Sequence, residues 1–203
     1  MTPAATTTAR PGSPSRGSAR EQAILDAAME LVVEIGYDRI TMDAVATRAQ
    51  ASKATMYRRW PGKAELIAEG LRRRCEGEAA CLPDTGSLRG DLAAAVAQMA
   101  EGLAGDQGAL FLGLLEAVRD DEVLRGLFQQ QATRRSGEVS ATVLGRAAGR
   151  GEALRAVDGP LVIQVAFAQM LMTTLMTGMP PVAAAQRCLV DDILVPLLVE
   201  PRP

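Results

Sequence analysis

The sequence predicts an all-α protein, in which an N-terminal domain of three helices precedes a larger helical bundle, about nine helices in total. Apolar residues recur at the three- and four-residue spacing of helices along most of the chain. No segment shows a credible strand pattern of alternating polar and apolar residues. In addition, 48% of the 203 residues are hydrophobic, which is enough for a substantial core.

Residue composition argues against several kinds of chemical site. The chain has no histidine, so we expect no Ser-His-Asp or Cys-His catalysis and no histidine metal site. Cys75, Cys81 and Cys188 are odd in number and lack metal-ligand spacing, as expected for thiols of a reducing cytoplasm. A redox role for Cys75 and Cys81 is the alternative. Without an N-terminal secretory signal pattern, we expect a cytoplasmic protein that is not an enzyme and needs no metal or cofactor.

Residues 1–18 predict a disordered tail, because they are rich in Thr, Pro, Gly, Ser and Ala. The alternative is a basic arm, formed by Arg10, Arg16 and Arg20, that contacts a polyanion. The first helix is predicted over residues 19–35, where apolar residues share one face, and Gly36 suits its C-terminal cap.

Residues 39–60 predict two short helices joined by a tight turn at residues 49–51. Thr41 and Ser52 are good N-cap residues at the start of each helix. On the second helix Met56 and Trp60 lie four positions apart and would face inward. Its outward face is predicted to be short, basic and hydroxyl-bearing, through Lys53, Ala54, Tyr57 and Arg58, with Thr55 at its edge.

This helix pair carries a concentrated positive charge. Residues 39–63 contain six basic residues (Arg39, Arg48, Lys53, Arg58, Arg59 and Lys63) and one acid, Asp43, although the whole chain has a net charge of −2. Such a patch indicates a polyanionic partner. A small residue such as Ala54 allows close approach to a groove, so the second helix is typical of a recognition helix in the DNA major groove.

The same segment resembles the N-terminal domain of the TetR/AcrR transcriptional regulators. The resemblance covers about 45 residues and is carried by Ile24-Leu25-x-Ala27-Ala28, Leu31, Gly36-Tyr37, Thr41-Met42-x-x-Val45-Ala46, Ala49, Ser52-Lys53-x-Thr55-Met56-Tyr57, Trp60 and Lys63-x-x-Leu66. One departure is the turn, Ala49-Gln50-Ala51, where the family usually has Ala-Gly-Val. Glycine suits a positive φ there, which glutamine adopts only at some cost.

The resemblance implies a regulator that binds a palindromic DNA operator as a homodimer through residues 19–62. We expect Lys53, Thr55 and Arg58, with the small Ala54 between them, to lie against base edges. Backbone phosphates are expected to be held by a second set, Thr41, Ser52, Tyr57 and Lys63.

A connecting helix is predicted over residues 63–80, after the break at Pro61-Gly62. Arg72, Arg73 and Arg74 could form a second phosphate patch, but nearby glutamates make a solvated face the simpler interpretation. In the resembled family this helix links the DNA-binding domain to the C-terminal domain.

Residues 81–203 predict the C-terminal domain, with helices over residues 88–103, 109–118, 122–147, 159–178 and 182–194. Residues 159–186 contain no charged residue, so a transmembrane helix is one alternative. Glutamines and threonines spread along this span, and no basic cluster flanks it, so we expect no membrane contact. The resemblance instead implies that the last two long helices pair with their counterparts in a second subunit.

A pocket for a small molecule is the other expectation for this domain. The predicted apolar lining is Met99, Phe111, Leu115, Phe128, Phe167, Met170 and Met176, and the predicted polar anchors are Glu116, Gln164, Gln169 and Thr173. The alternative is that these residues are ordinary core. The resemblance implies a repressor that a small apolar or amphipathic inducer releases from DNA; the alternative is an activator, or a regulator without an inducer.

Overall fold

The computed structural model describes residues 16–75 and 82–200. It confirms an all-α protein, and the described residues form no strand, only an isolated bridge between Leu154 and Val199. The helices are α1 (Arg16–Ile35), α2 (Met42–Arg48), α3 (Lys53–Arg59), α4 (Lys63–Cys75), α5 (Leu88–Leu103), α6 (Gly105–Asp120), α7 (Glu122–Gly149), α8 (Gly159–Thr177), α9 (Ala183–Cys188) and α10 (Val195–Leu198). A 3₁₀ turn (Tyr37–Arg39) precedes α2, and a π-helical turn (Leu189–Leu194) joins α9 to α10.

Several helix ends differ from the prediction. Helix α1 begins at Arg16, within the range predicted as a tail, and residues 1–15 lie outside the described part. The described part of α4 ends at Cys75, and residues 76–81 are not described. The last helical segment runs to Leu198, past the predicted end at residue 194. Pro196 lies in the first turn of α10, directly after the π-helical turn.

Side-chain caps start five of the helices. Each cap is a hydroxyl or carboxylate oxygen that accepts a hydrogen bond from a backbone N–H of the first turn. The capping residues are Thr41, Ser52, Ser87, Asp121 and Asp158. Helix α8 ends at Gly178 in the left-handed region, with φ of 73°.

The turn between α2 and α3 contains the departure noted in the sequence. Gln50 has φ of 49°, the only positive value among the described residues other than glycine. The N–H of Ala51 donates to the carbonyl of Ala46 at 2.9 Å, and that of Gln50 donates to Thr47 at 3.3 Å. This is the pair of bonds that closes a helix with a left-handed residue after its end. Gln50 therefore occupies a glycine position.

The buried apolar residues form two hydrophobic cores. The first contains α1 to α4 together with Leu110 and Leu114 of α6 and Leu124 of α7. The second contains α5, the later part of α7, α8 and the final helical segment. Helix α7 contributes to both, through Leu124 in the first and Val143 in the second.

Helix α8 is apolar on nearly every side. It is 19 residues long, its most apolar stretch has a mean hydropathy of 1.4, and 33% of that stretch is buried. By length and composition alone it could cross a membrane, and it is the one helix in the described ranges that could. It packs mainly against α7 and α5.

Replacing Gln50 by glycine should stabilise the protein. A residue with a Cβ atom in the left-handed region costs about 1 kcal/mol, and glycine removes that cost. We expect Gln50→Gly to raise the free energy of unfolding in urea by about 1 kcal/mol. The matched control is Gln50→Ala, which removes the amide but keeps the Cβ atom and should give no gain. Equal effects of the two variants would contradict the strain at this turn.

Candidate nucleic-acid interface

Helix α3 presents the outward face that the sequence predicts. Met56 and Trp60 are buried in the first core, with 0% and 4% of their surface exposed. The opposite side of the helix is exposed at Lys53, Ala54 and Arg58, and the ring of Tyr57 is 52% exposed. A side chain as large as tyrosine, held in solvent on a rigid helix, is available to a partner.

The predicted hydroxyl residues lie at helix starts. The Thr41 hydroxyl accepts from the Ala44 N–H at 3.1 Å, and the Ser52 hydroxyl accepts from the Thr55 N–H at 3.2 Å. Ser52 and Thr55 also share a hydrogen bond between their hydroxyls at 2.7 Å. Thr55 is half-buried, as expected for a residue at the edge of the outward face.

Lys53 forms an ion pair across the turn. Its ammonium lies 2.6 Å from Oδ2 of Asp43 on α2, and both side chains are mostly exposed. Exposed pairs of this kind contribute little to stability, because water screens them and their side chains lose entropy. Lys53 can therefore exchange its carboxylate for another anion at small cost.

Two of the six cations counted along the sequence are paired with acids of α1. The Arg48 guanidinium lies 2.7 Å from Glu34, and Arg59 pairs with Glu21. The hydrogen bond from Arg48 lowers the pKa of Glu34 below its usual value. A charge count over residues 39–63 leaves out these acids of α1 and so overstates the positive charge of the surface. Within the described residues, Arg39 and Arg58 are the exposed cations of the patch without an ion pair.

Lys63 lies at the start of α4 but points toward the 3₁₀ turn. Its ammonium donates to the carbonyl oxygens of Tyr37 and Asp38 at 3.2 and 3.5 Å. It also lies 4.2 Å from the centre of the Tyr37 ring, within cation–π range. Lys63 therefore braces this turn, and its contact with a phosphate stays a prediction.

A hydrogen bond that the sequence analysis missed connects this turn to α7. The Tyr37 hydroxyl donates to Oδ2 of Asp121 at 2.6 Å. Oδ1 of Asp121 accepts from the Leu124 N–H at 3.0 Å, so one carboxylate caps α7 and holds the turn. Burial, and next the Asp121 carboxylate, raise the pKa of Tyr37; the bond from Tyr37 is the main cause that lowers the pKa of Asp121. The two residues are 84 positions apart, so no local sequence pattern could predict their contact.

Two of the three consecutive arginines of α4, Arg72 and Arg73, are engaged with acids. Arg72 donates two hydrogen bonds to Glu69, at 2.6 and 2.7 Å. Arg73 pairs with Glu69 at 3.0 Å and with Glu21 of α1 at 3.2 Å. These contacts tie α4 to α1 and favour a structural role over a second phosphate patch.

Some of the predicted pocket residues come together. The Phe111 ring lies 5.9 Å from Phe128 and 5.6 Å from Phe167, measured between ring centres. Met170 is buried in the second core, at 1% exposure. Met176 does not join them, because it lies in the last turn of α8 with 76% of its surface exposed. The other two predicted lining residues, Met99 and Leu115, are half-buried.

The predicted polar anchors are mostly committed elsewhere. The Glu116 side chain is 81% exposed. The Gln164 amide donates to the Ser136 hydroxyl at 3.1 Å, which links α8 to α7. The Thr173 hydroxyl donates to the backbone carbonyl of Gln169 within α8, at 3.0 Å.

The comparison with protein families covers both parts of the chain. Residues 24–69 match the family model "Bacterial regulatory proteins, tetR family", and residues 82–193 match "Tetracyclin repressor-like, C-terminal domain". The chain belongs to the TetR family. The resemblance drawn from residues 24–66 is thereby confirmed, and this TetR-family member is a DNA-binding transcriptional regulator with a helix-turn-helix domain.

Individual relatives agree over nearly the whole length. The chain is 38% identical over 184 residues to a DNA-binding transcriptional repressor TetR of Mycobacteroides abscessus, covering 91% of this chain and 96% of the relative. It is 34% identical over 193 residues to an uncharacterized HTH-type transcriptional regulator of Mycobacterium tuberculosis, covering 93% of both. The crystal structure of the TetR family transcription regulator SCO0332 aligns with a TM-score of 0.69 at 25% identity, covering 86% of this chain and 96% of the other.

Among the described side chains, no group of three or more acidic or cysteine residues could hold a metal ion. Cys188 is an exposed free thiol. The thiols of Cys75 and Cys81 lie outside the described side chains.

Removing the Tyr37 hydroxyl should lower the stability of the folded protein by an amount that depends on pH. The bond holds the pKa of Asp121 below its unfolded value of about 3.9, so its contribution is present above that pH and is lost as pH falls through the folded pKa. We expect Tyr37→Phe to lower the free energy of unfolding by about 1 to 2 kcal/mol near neutral pH, and by less at pH 3.

Urea denaturation at several pH values measures this difference. The control is Tyr57→Phe, which removes a hydroxyl from an exposed ring and should not change stability. A Tyr37→Phe effect that stayed constant from pH 7 to pH 3 would contradict a bond to the ionised carboxylate.

Proposed function

We propose that this regulator is a cytoplasmic repressor that binds a palindromic operator as a homodimer and leaves it when a small apolar or amphipathic molecule binds. The exposed face of α3 carries the DNA-binding part of this proposal, because it combines two cations with an aromatic hydroxyl on a rigid helix. Repression is supported by the M. abscessus relative, which is named a transcriptional repressor.

The proposed DNA contacts follow from the position of each side chain. Lys53 and Arg58 project from the exposed face of α3 and would reach base edges, with Thr55 at the margin. Ala54 lies on the same face and adds no bulk, so the backbone can approach the groove closely. A second group would hold phosphates and set the register of α3 in the groove, namely Thr41, Ser52, Tyr57 and Lys63.

The proposed dimer interface is the exposed apolar stripe of α8. Its residues follow helical spacing, so they share one face: Leu161, Val165, Met172 and Met176. Ile193 and Leu197 add a second pair of exposed apolar residues near the end of the chain. An apolar surface of this extent is usually covered by a partner. A two-fold copy of this chain covers it and also supplies the second α3 that a palindrome requires.

The proposed inducer site is the aromatic cluster of Phe111, Phe128 and Phe167. These rings come from α6, α7 and α8, so a molecule inserted between them would displace α7. Phe128 also packs against the first core, which contains α1 and α4. An inducer acts by binding the displaced arrangement more tightly than the DNA-binding one.

Substitutions on α3 should weaken DNA binding. We expect Lys53→Ala to raise the dissociation constant for duplexes selected from a random-sequence pool about tenfold or more, and Arg58→Ala to do the same. Fluorescence anisotropy measures both, and affinity should fall steeply with salt. The matched control is Arg89→Ala, which removes another exposed cation paired with an aspartate, far from α3. Equal affinity of Lys53→Ala and Arg89→Ala would refute the proposed contacts.

A charge placed in the α8 stripe should separate the dimer. We expect Met172→Glu to weaken self-association about a hundredfold, because like charges would be buried face to face. Sedimentation velocity over a range of concentrations measures the change. The control is Val123→Glu on α7, since both native side chains are 52% exposed. Dimers of unchanged strength in Met172→Glu would place the interface elsewhere.

A further inference from the structure

A cleft lies between the DNA-binding domain and α7. It has a volume of about 560 Å³, within the range of small-molecule sites. One wall is formed by the end of α3 and by α4, and the other by the middle of α7, over residues 127–138. None of the three phenylalanines of the aromatic cluster lines it, so it is separate from the proposed inducer site.

The most buried residues that line this cleft are apolar. Trp60 and Ala68 from the first wall are 4% and 7% exposed, and Leu127 from α7 is half-buried. Gln130 and Gln131 follow Leu127 along the second wall and offer amide donors and acceptors. Buried apolar residues beside a few polar groups are typical of a site that takes a molecule with an apolar body.

The rim is rich in guanidinium groups. Four arginines and three glutamates line the cleft. Two of the glutamates pair with an arginine of their own helix: Glu69 with Arg72 at 2.6 Å, and Glu138 with Arg134 at 2.8 Å. The planar fork of an arginine binds carboxylate, phosphate or sulfonate oxygens in pairs. The Arg134–Glu138 pair is about half exposed and is screened by water, so Arg134 can exchange this carboxylate for another anion at small cost.

We infer that this cleft binds a small molecule with a compact apolar body and one anionic group. The apolar body lies over Trp60, Ala68 and Leu127, and the anion binds Arg134 of α7. Because Ala68 belongs to α4 and Arg134 to α7, such a ligand spans both walls and braces α4 against α7. This site goes beyond the proposed repressor function and does not depend on it.

The test uses a fluorescent anion, 8-anilinonaphthalene-1-sulfonate, titrated into the full chain without DNA. We expect saturable binding, with a component that Arg134→Gln weakens about tenfold, because a hydrogen bond to a charged group is lost. Arg134 is 54% exposed, so its substitution should preserve folding, which a thermal melt confirms. The control is Arg125→Gln, on the same helix but outside the cleft, which should leave binding unchanged.

A second ligand tests the contribution of the anionic group apart from that of the apolar body. N-phenyl-1-naphthylamine has the same rings without the sulfonate, and we expect it to bind the wild-type cleft about tenfold more weakly. The inference is overturned if Arg134→Gln and Arg125→Gln bind the dye alike, if the neutral amine binds as tightly as the sulfonate, or if no saturable binding occurs. Since no DNA is present, these results are independent of whether the chain represses transcription.

Discussion

The core of the DNA-binding domain is completed by helices from outside it, and this dependence constrains the rest of the structure. Helices α2 and α3 have seven residues each, too few to be stable without tertiary packing. They rest on α1 and α4, and the same core takes in Leu110, Leu114 and Leu124 from α6 and α7. The position of α3 therefore depends on helices that belong to the C-terminal domain.

Helix α7 connects the C-terminal domain to the core on which α3 rests. Its 28 residues span about 42 Å, so one rigid body touches both cores. Its start is held by Asp121, which binds the turn before α2, and its middle forms one wall of the cleft beside α4. Closely packed interiors transmit displacement rather than absorb it. In the mechanism proposed here, a ligand that shifts α7 from either side changes the orientation of α3 without touching it.

The local features of this fold were predictable from the sequence, whereas the contacts between distant segments were not. Caps at Thr41 and Ser52 and the buried Met56 follow from rules that operate within a few residues, and the structure shows each of them. The strained Gln50 was visible as a departure from a family pattern. By contrast, the pairing of Arg48 with Glu34 depends on how α1 crosses α2. Counting charges along one segment cannot detect acids that another helix supplies.

The acids that pair with these cations reduce the positive charge that the DNA-binding surface offers to phosphates. Non-specific affinity for DNA grows with the number of phosphates that a protein neutralises, so an unopposed patch would hold any duplex. Here Arg48 and Arg59 are occupied by α1, and Lys53 must leave Asp43 before it can bind elsewhere. A chain with a net charge of −2 then depends more on contacts that a matching sequence provides. If α3 makes the proposed contacts, the carboxylates around it lower affinity for DNA in general and leave discrimination to the exposed residues of this short helix.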